Sequence, residues 1–153
     1  MSFKLSSPSF EPGGKIPIRH SCDGANISPR LQWSGTPGRA RSFALICADP
    51  DAPAGTWYHW AIFDIPPAVT ALPEEHPLKA HEGVRQGIND FGRAEYGGPC
   101  PPHGHRPHHY HFTLYALDVN RLAVPASLRC RDVERAAKRH SLAQAELVGL
   151  YGR

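Results

Sequence analysis

Five histidines fall within the nine residues 103–111, directly after a run rich in glycine and proline. Imidazoles at this density could bind a metal, transfer protons or hold an anion, because histidine ligates through its ring nitrogens and changes charge near neutral pH. The turn DPDAP at 49–53 and a histidine within an aromatic run, His59, are the other groups that could take part. These three places carry the candidate chemistry of the chain.

A metal site is the first alternative. Zinc takes nitrogen, sulfur or carboxylate ligands in a tetrahedral array. The segment HHYHFTLYALD at 108–118 is typical of a strand, in which neighbouring side chains point to opposite faces. His109 and His111 could therefore share a face that His108 could not join. Since no HExxH or other spaced ligand set is present, neither a metal nor a cofactor is predicted.

Hydrolysis is the second alternative, and it lacks an activated nucleophile. No GxSxG turn is present to expose a serine. Cys100 lies between Pro99 and Pro101, so it cannot use a helix N-terminus to favour its thiolate. Asp49 and Asp51 could act as acid and base, although both also suit turn capping. The sequence predicts that the protein is not an enzyme, with a weak hydrolase as an alternative.

An anion pocket is the third alternative, and it fits the residue types best. Histidine donates hydrogen bonds, glycine lets a ligand approach the backbone, and a rigid Gly-Pro turn limits the entropy lost on binding. The aspartates would repel a polyanion, but they suit a protonated phosphate monoester or a zwitterion with an ammonium group. The predicted partner is therefore a small anionic or zwitterionic ligand that bears a phosphate.

Composition places these groups in one domain over residues 1–153. Of the 153 residues, 41% are apolar and 20% are charged, and 14 glycines and 16 prolines favour many turns. The net charge of +3 gives no indication of a nucleic-acid groove. No segment is apolar enough for a signal peptide or a transmembrane helix, so a soluble, cytoplasmic protein is expected.

The four cysteines, at 22, 47, 100 and 130, form no CxxC pair. A zinc ribbon is therefore disfavoured. In a reducing cytoplasm these cysteines are expected to stay free thiols, without disulfides.

Strands are predicted to position the candidate groups. Residues 42–49, 57–65 and 108–118 are β-compatible, and the second segment is so continuously apolar that burial on both faces is expected. In the third, Tyr110, Phe112, Leu114 and Ala116 should share one face. Residues 66–107 lack clear periodicity and should be mostly irregular.

Helices are predicted only after the strands. Residues 127–140 predict a helix with Ser127 as its N-cap. Ser141 and Gln144 match a capping box, which predicts a second short helix through Val148. Strands followed by helices, without βαβ alternation, argue against a doubly wound parallel sheet.

Together the motifs resemble those of the phosphatidylethanolamine-binding protein family, also called Raf kinase inhibitor-like proteins. The resemblance rests on DPDAP, WYHWAIFDIP, GGPCPPHG and HHYHFTLYALD, and extends to DGANISPRLQWSG at 23–35 and NDFG at 89–92. AELVGLYGR at 145–153 is similar to the ending of the bacterial and archaeal branch. The resemblance covers essentially the whole chain. It implies a mainly β fold, a sandwich of two antiparallel sheets with short C-terminal helices.

The resemblance also implies a small pocket for phosphate or phosphoethanolamine-like groups at one end of the sandwich. One histidine of the five in 103–111 would line this pocket, while the other four would lie on a loop and a strand without contributing to it. The chain is thus predicted to be a non-enzymatic binding protein. Carried over position by position, the ligand-binding residues are Asp49, Asp51, His59, Gly98, Pro99, Pro101 and His108.

Two departures from eukaryotic members bear on the predicted function. Only residues 54–56 separate DPDAP from Trp57, so the pocket tyrosine of a longer loop is missing, and residues 66–107 are organised differently. Inhibition of a kinase or a protease through protein contacts stays open as the alternative role. The bacterial branch implies a homodimer.

Overall fold

The structure is a computed structural model that describes residues 2–75 and 83–153. Two antiparallel sheets contain all the strands of this part of the chain, in the orders β1-β2-β5 and β6-β4-β3-β7-β8. The predicted mainly β sandwich is confirmed. In chain order the elements are β1 (Lys4–Ser6), a 3-10 helix (Ile18–His20), β2 (Leu31–Ser34), β3 (Ser42–Asp49), β4 (Trp57–Ile65), β5 (Ala71–Leu72), β6 (Arg85–Gln86), β7 (His108–Leu117), α1 (Cys130–Arg139) and β8 (Ser141–Tyr151).

The main hydrophobic core lies between the two sheets. Strand β7 alternates as predicted, and it turns its even-numbered apolar residues into this core. Trp33 of the small sheet and Trp60 of β4 are both buried here, at 5% and 1% exposure. The large core side chains from the long strands are Phe43, Leu45, Trp60, Ile62, Ile65, Tyr110, Phe112, Leu114, Leu147 and Tyr151.

A second core lies on the other face of the large sheet, where helix α1 packs. Ala44 and Ile46 of β3 and Phe63 of β4 meet Val133 and other apolar residues of the helix. Strands β3 and β4 are therefore covered on both faces. This explains why 57–65 has a continuous apolar sequence, and the prediction for that strand is confirmed.

The predicted helix from Ser141 through Val148 is wrong. These residues belong to strand β8, which pairs with β7 along its length from Ser141 to Tyr151. Ser141 does not cap a helix, since its hydroxyl donates to the Ala143 carbonyl at 3.2 Å. Although alanine, leucine, glutamine and glutamate favour helices, the alternate residues Ala145 and Leu147 point into the core, and this burial with strand pairing overrides propensity.

The helix predicted over 127–140 is confirmed in its body, but it begins later. Leu128 has a φ of 53°, which lies in the left-handed region and interrupts a right-handed helix. The helix therefore starts at Cys130, with Arg129 at the N-cap position and no side-chain cap. Ser127 is not the N-cap, and its hydroxyl donates to Asp132 at 3.3 Å.

The expectation of free thiols is wrong for two of the four cysteines. Cys22 and Cys100 form a disulfide; their Cα atoms are 5.4 Å apart, and they lie 78 positions apart in sequence. The two cysteines lie in separate segments that contact each other, and next to the disulfide the Cys22 amide donates to the Pro99 carbonyl at 3.0 Å. Cys47 and Cys130 are free and buried, and burial raises the pKa of both thiols.

Among the described residues, we find no helix with the length and apolar character needed to cross a membrane.

Candidate functional site

Three segments meet at one end of the large sheet. Strand β3 runs antiparallel to both β4 and β7, so its last residue lies beside the first residues of its neighbours. Asp49 ends β3 and pairs with Trp57, which begins β4. His108 begins β7 at the same end. The register therefore gathers groups that are up to 59 positions apart in sequence.

A cavity of about 190 Å³ lies at this end of the sheet. It is smaller than the roughly 300–1,000 Å³ typical of pockets for drug-sized ligands, so it suits a group of a few atoms. Its walls are mostly aromatic rings and prolines around a few polar side chains. The lining residues are Asp49, Ala52, Pro53, Trp57, His59, Phe91, Cys100, Pro101, Pro102, His108 and Tyr110.

Asp49 and His108 form a buried pair in the wall of the cavity. Their side chains are only 4% and 5% exposed, and Nδ1 of His108 donates to Oδ2 of Asp49 at 2.7 Å. The other carboxylate oxygen, Oδ1, accepts from the Asp51 amide at 2.8 Å. Asp49 therefore orients the His108 ring and holds the DPDAP turn at once.

His59 presents a neutral imidazole to the cavity. It is 3% exposed, and its Nδ1 donates to the Gly97 carbonyl at 2.7 Å. Burial lowers the pKa of His59 below its usual value, against the opposing effect of the Gly97 carbonyl and of Asp49. The ring is thus uncharged at neutral pH, and because Nδ1 carries the proton, Nε2 is left as an acceptor.

Two buried donors in the lining residues lack partners. The hydroxyl of Tyr110 and Nε1 of Trp57 have no hydrogen-bond acceptor within residues 2–75 and 83–153. Burial raises the pKa of Tyr110, so its hydroxyl stays protonated. A buried donor left unpaired costs about 1–3 kcal/mol. Both residues belong to the lining of the cavity.

Tyr110 and Trp57 were not among the site residues predicted from the sequence. A signal for Tyr110 was present, because it shares a face of β7 with His108 under strict alternation. The same signal was present for Trp57, which shares a face of β4 with His59 under strict alternation.

Asp51 lies outside the cavity, although it is two residues from Asp49. Its side chain is 41% exposed and accepts from both the backbone amide and Nδ1 of His109, each at 2.7 Å. The amide hydrogen bond is the main cause of a pKa for Asp51 below its usual value. The structure therefore gives the two aspartates of the turn different surroundings.

The glycine-proline segment forms one wall of the cavity. Pro101 lines it directly, whereas Gly98 and Pro99 lie behind that surface. The Gly98 amide donates to Oδ1 of Asn26 at 2.8 Å, and the Pro99 carbonyl accepts from Cys22. These two residues thus hold the wall against the loop at 18–27.

The sequence suggested that Gly98 leaves room for a ligand, but the structure gives it a packing role. A Cβ atom there would overlap the His20 carbonyl oxygen and lie 2.6 Å from Oδ1 of Asn26. We expect Gly98→Ala to lower the free energy of unfolding by about 3 kcal/mol, because backbone must move. Gly38→Ala is the matched control, since nothing lies within 4 Å of its Cβ position. Urea unfolding followed by circular dichroism would contradict this account if both variants lost the same stability.

The other clustered histidines lie outside the cavity. Nδ1 of His105 is hydrogen-bonded to Nε2 of His108 at 3.3 Å, while His111 pairs with Glu146 at the same distance. His103 is exposed. In the described part of the chain, no three side chains of histidine, cysteine, aspartate or glutamate come together as a metal-ligand set.

Two antiparallel sheets with a cavity at one end of the larger sheet define the chain as a β-sandwich protein. The chain belongs to the phosphatidylethanolamine-binding protein family, whose model matches residues 6–152. The UPF0098 protein of Aquifex aeolicus is 47% identical over 151 residues, covering 98% of this chain and 88% of the relative. The UPF0098 protein of Methanothermobacter thermautotrophicus is 49% identical over 151 residues, covering 97% and 98%.

Solved structures agree with this assignment. Escherichia coli YbcL, described as a new member of the mammalian PEBP family, is 36% identical with a TM-score of 0.94, covering 100% of this chain and 99% of that chain. A carboxypeptidase Y inhibitor, solved in complex with its cognate proteinase, has a TM-score of 0.59 at 20% identity, covering 98% of this chain and 82% of that chain. The second likeness concerns the fold alone.

Proposed function

We propose that the protein is a non-enzymatic binding protein for a small phosphate-bearing anion or zwitterion, held in the cavity at the end of the large sheet. The observation that carries this proposal is the pair of buried, unpartnered donors on Tyr110 and Trp57 in the lining of one small cavity, among the described residues. Acceptor atoms are what such donors require, and an oxyanion offers several.

A protonated oxyanion suits the remaining polar groups. Nε2 of the neutral His59 can accept a hydrogen bond from a P–OH group, while the Asp49 carboxylate disfavours a second negative charge nearby. A monoanionic phosphate monoester meets both conditions. Such a ligand would also offer acceptors to the Tyr110 and Trp57 donors.

The lining residues also favour binding over turnover. Within residues 2–75 and 83–153 the lining has no serine, threonine or lysine, and the sulfur of Cys100 is in a disulfide. An enzyme that forms a covalent intermediate needs a nucleophile activated by a neighbouring base. Binding without reaction is therefore the function that the lining supports best.

Titration with inorganic phosphate tests the proposal. We expect saturable binding, micromolar to millimolar because the site is small, and an affinity about tenfold weaker in Tyr110→Phe, which loses one hydrogen bond to a charged ligand. Isothermal titration calorimetry measures the affinity of the wild-type protein and that of the variant. Tyr110→Phe keeps the ring and removes an unpartnered hydroxyl, so its stability should not fall.

Tyr115→Phe is the matched control for this experiment. Tyr115 lies on the same strand, is also buried, and faces the helix side of the sheet. Its loss of a hydroxyl should leave phosphate affinity unchanged. Absence of saturable binding to the wild-type protein, or equal weakening in the two variants, would remove the proposed site.

A further inference from the structure

An exposed aromatic ring stands at the mouth of the cavity. Phe91 lines the cavity and is 45% exposed, whereas the core phenylalanines are buried. Single exposed apolar residues are ordinary on protein surfaces, so exposure alone means little. Phe91 differs from an ordinary exposed residue because both its backbone and its ring are held by specific contacts.

A tight turn at 89–93 fixes the Phe91 backbone. Asn89 is 4% exposed, and its Oδ1 accepts from the amides of Phe91 at 3.0 Å and Arg93 at 3.1 Å. Its Nδ2 donates to the carbonyls of Glu95 at 2.8 Å and His59 at 3.3 Å. The turn is therefore tied directly to the strand that carries the cavity histidine, and Phe91 cannot move freely relative to it.

The Phe91 ring is also fixed by its packing. Its centroid lies 5.4 Å from those of Trp57 and His59, at interplanar angles of 69° and 70°. A Cβ atom on Gly97 would lie only 2.6 Å from Cδ2 of Phe91, so the ring rests on the Gly97 backbone. Edge-to-face contacts of this kind favour one ring orientation. The result is a rigid aromatic platform above the anion position.

The chemistry of the mouth limits what can be attached to the oxyanion. A cavity of about 190 Å³ leaves the ester group of a ligand at the rim. There it meets Phe91 and the prolines at 53, 101 and 102. Asp49 accepts from His108 and from the Asp51 amide, so its carboxylate is held in the cavity wall.

We propose that the site selects phosphate monoesters whose ester group is flat and apolar, such as an aryl group, and that Phe91 is the specificity-determining residue. This inference rests on the proposed function, since it presumes that phosphate occupies the cavity. The aryl group would pack against the exposed part of the Phe91 ring. Such a contact strengthens binding by about tenfold, from aromatic pairing together with burial of apolar surface.

The test compares methyl phosphate with phenyl phosphate by calorimetry on the whole protein. We expect the wild-type protein to bind phenyl phosphate about tenfold more tightly than methyl phosphate, and the ratio of the two affinities to fall to about one in Phe91→Ala. Phe91→Tyr should retain the preference. Ile88→Ala is the control, because Ile88 is an exposed apolar residue of the same segment that does not line the cavity. Thermal unfolding of each variant checks that the fold is intact.

The outcomes separate the inference from the proposed function. If neither inorganic phosphate nor methyl phosphate binds the wild-type protein, the proposed function itself fails. If both bind but phenyl phosphate binds no better than methyl phosphate, the inference fails alone. A preference for phenyl phosphate that survives Phe91→Ala would also overturn the role of this residue.

Discussion

Replacing the disulfide with Cys22→Ser and Cys100→Ser is expected to lower the free energy of unfolding by about 4 kcal/mol. The bond joins residues 78 positions apart, so breaking it frees a long loop in the unfolded chain and raises the entropy of that state. In the native state the same bond holds Cys100, which lines the cavity, to the loop at 18–27. Urea unfolding followed by circular dichroism measures the difference.

Reduction of the wild-type protein gives the control for this prediction without introducing serine. Reduced wild type and the double variant should unfold at the same urea concentration. Cys47 and Cys130 are not bonded in the structure, so a reducing agent has no other disulfide to break among the described residues. Equal stability of the reduced and the oxidised wild type would show that the bond contributes nothing.

Asp49→Ala is the second substitution with a large expected effect, a loss of about 4 kcal/mol in the free energy of unfolding. Removing one partner of a buried pair costs about 3–5 kcal/mol, because the other partner stays desolvated without its hydrogen bond. Here the buried Nδ1–H of His108 and the Asp51 amide both lose their acceptor. Chemical denaturation of the purified variant measures the loss.

Asp51→Ala is a control from the same turn. Its carboxylate also accepts two hydrogen bonds, from His109, but its side chain is 41% exposed and water can replace them. We expect its removal to cost less than about 1 kcal/mol. Similar losses in the two variants would mean that burial does not govern the contribution of these aspartates.

The sequence was sufficient to predict several of the side chains that lie near the site, but not which of them are buried in the cavity wall and which are exposed. Local patterns were enough to place Asp49 at the end of a strand and His108 at the start of another, because strand alternation and turn residues are local signals. The separation of Asp49 from Asp51 could not be predicted in this way. It depends on which residues of β7 lie opposite the turn, and that register is a property of the assembled sheet.

The last strand and the disulfide are two further features that local sequence patterns could not predict. Residues 141–148 are good helix formers, and only the neighbouring β7 makes them a strand. Cys22 and Cys100 carry no spacing signal, since their contact depends on how two irregular loops pack. Both features arise from long-range contacts that a local pattern does not encode.

The placement of the three tryptophans provides an optical reporter of the site. Trp33 and Trp60 are enclosed in the core, whereas Trp57 is partly exposed and lines the cavity. Of the three chromophores, this one is positioned to sense a molecule that enters or leaves. A change in intrinsic emission during a titration would therefore arise at the mouth of the cavity, and it needs no attached dye.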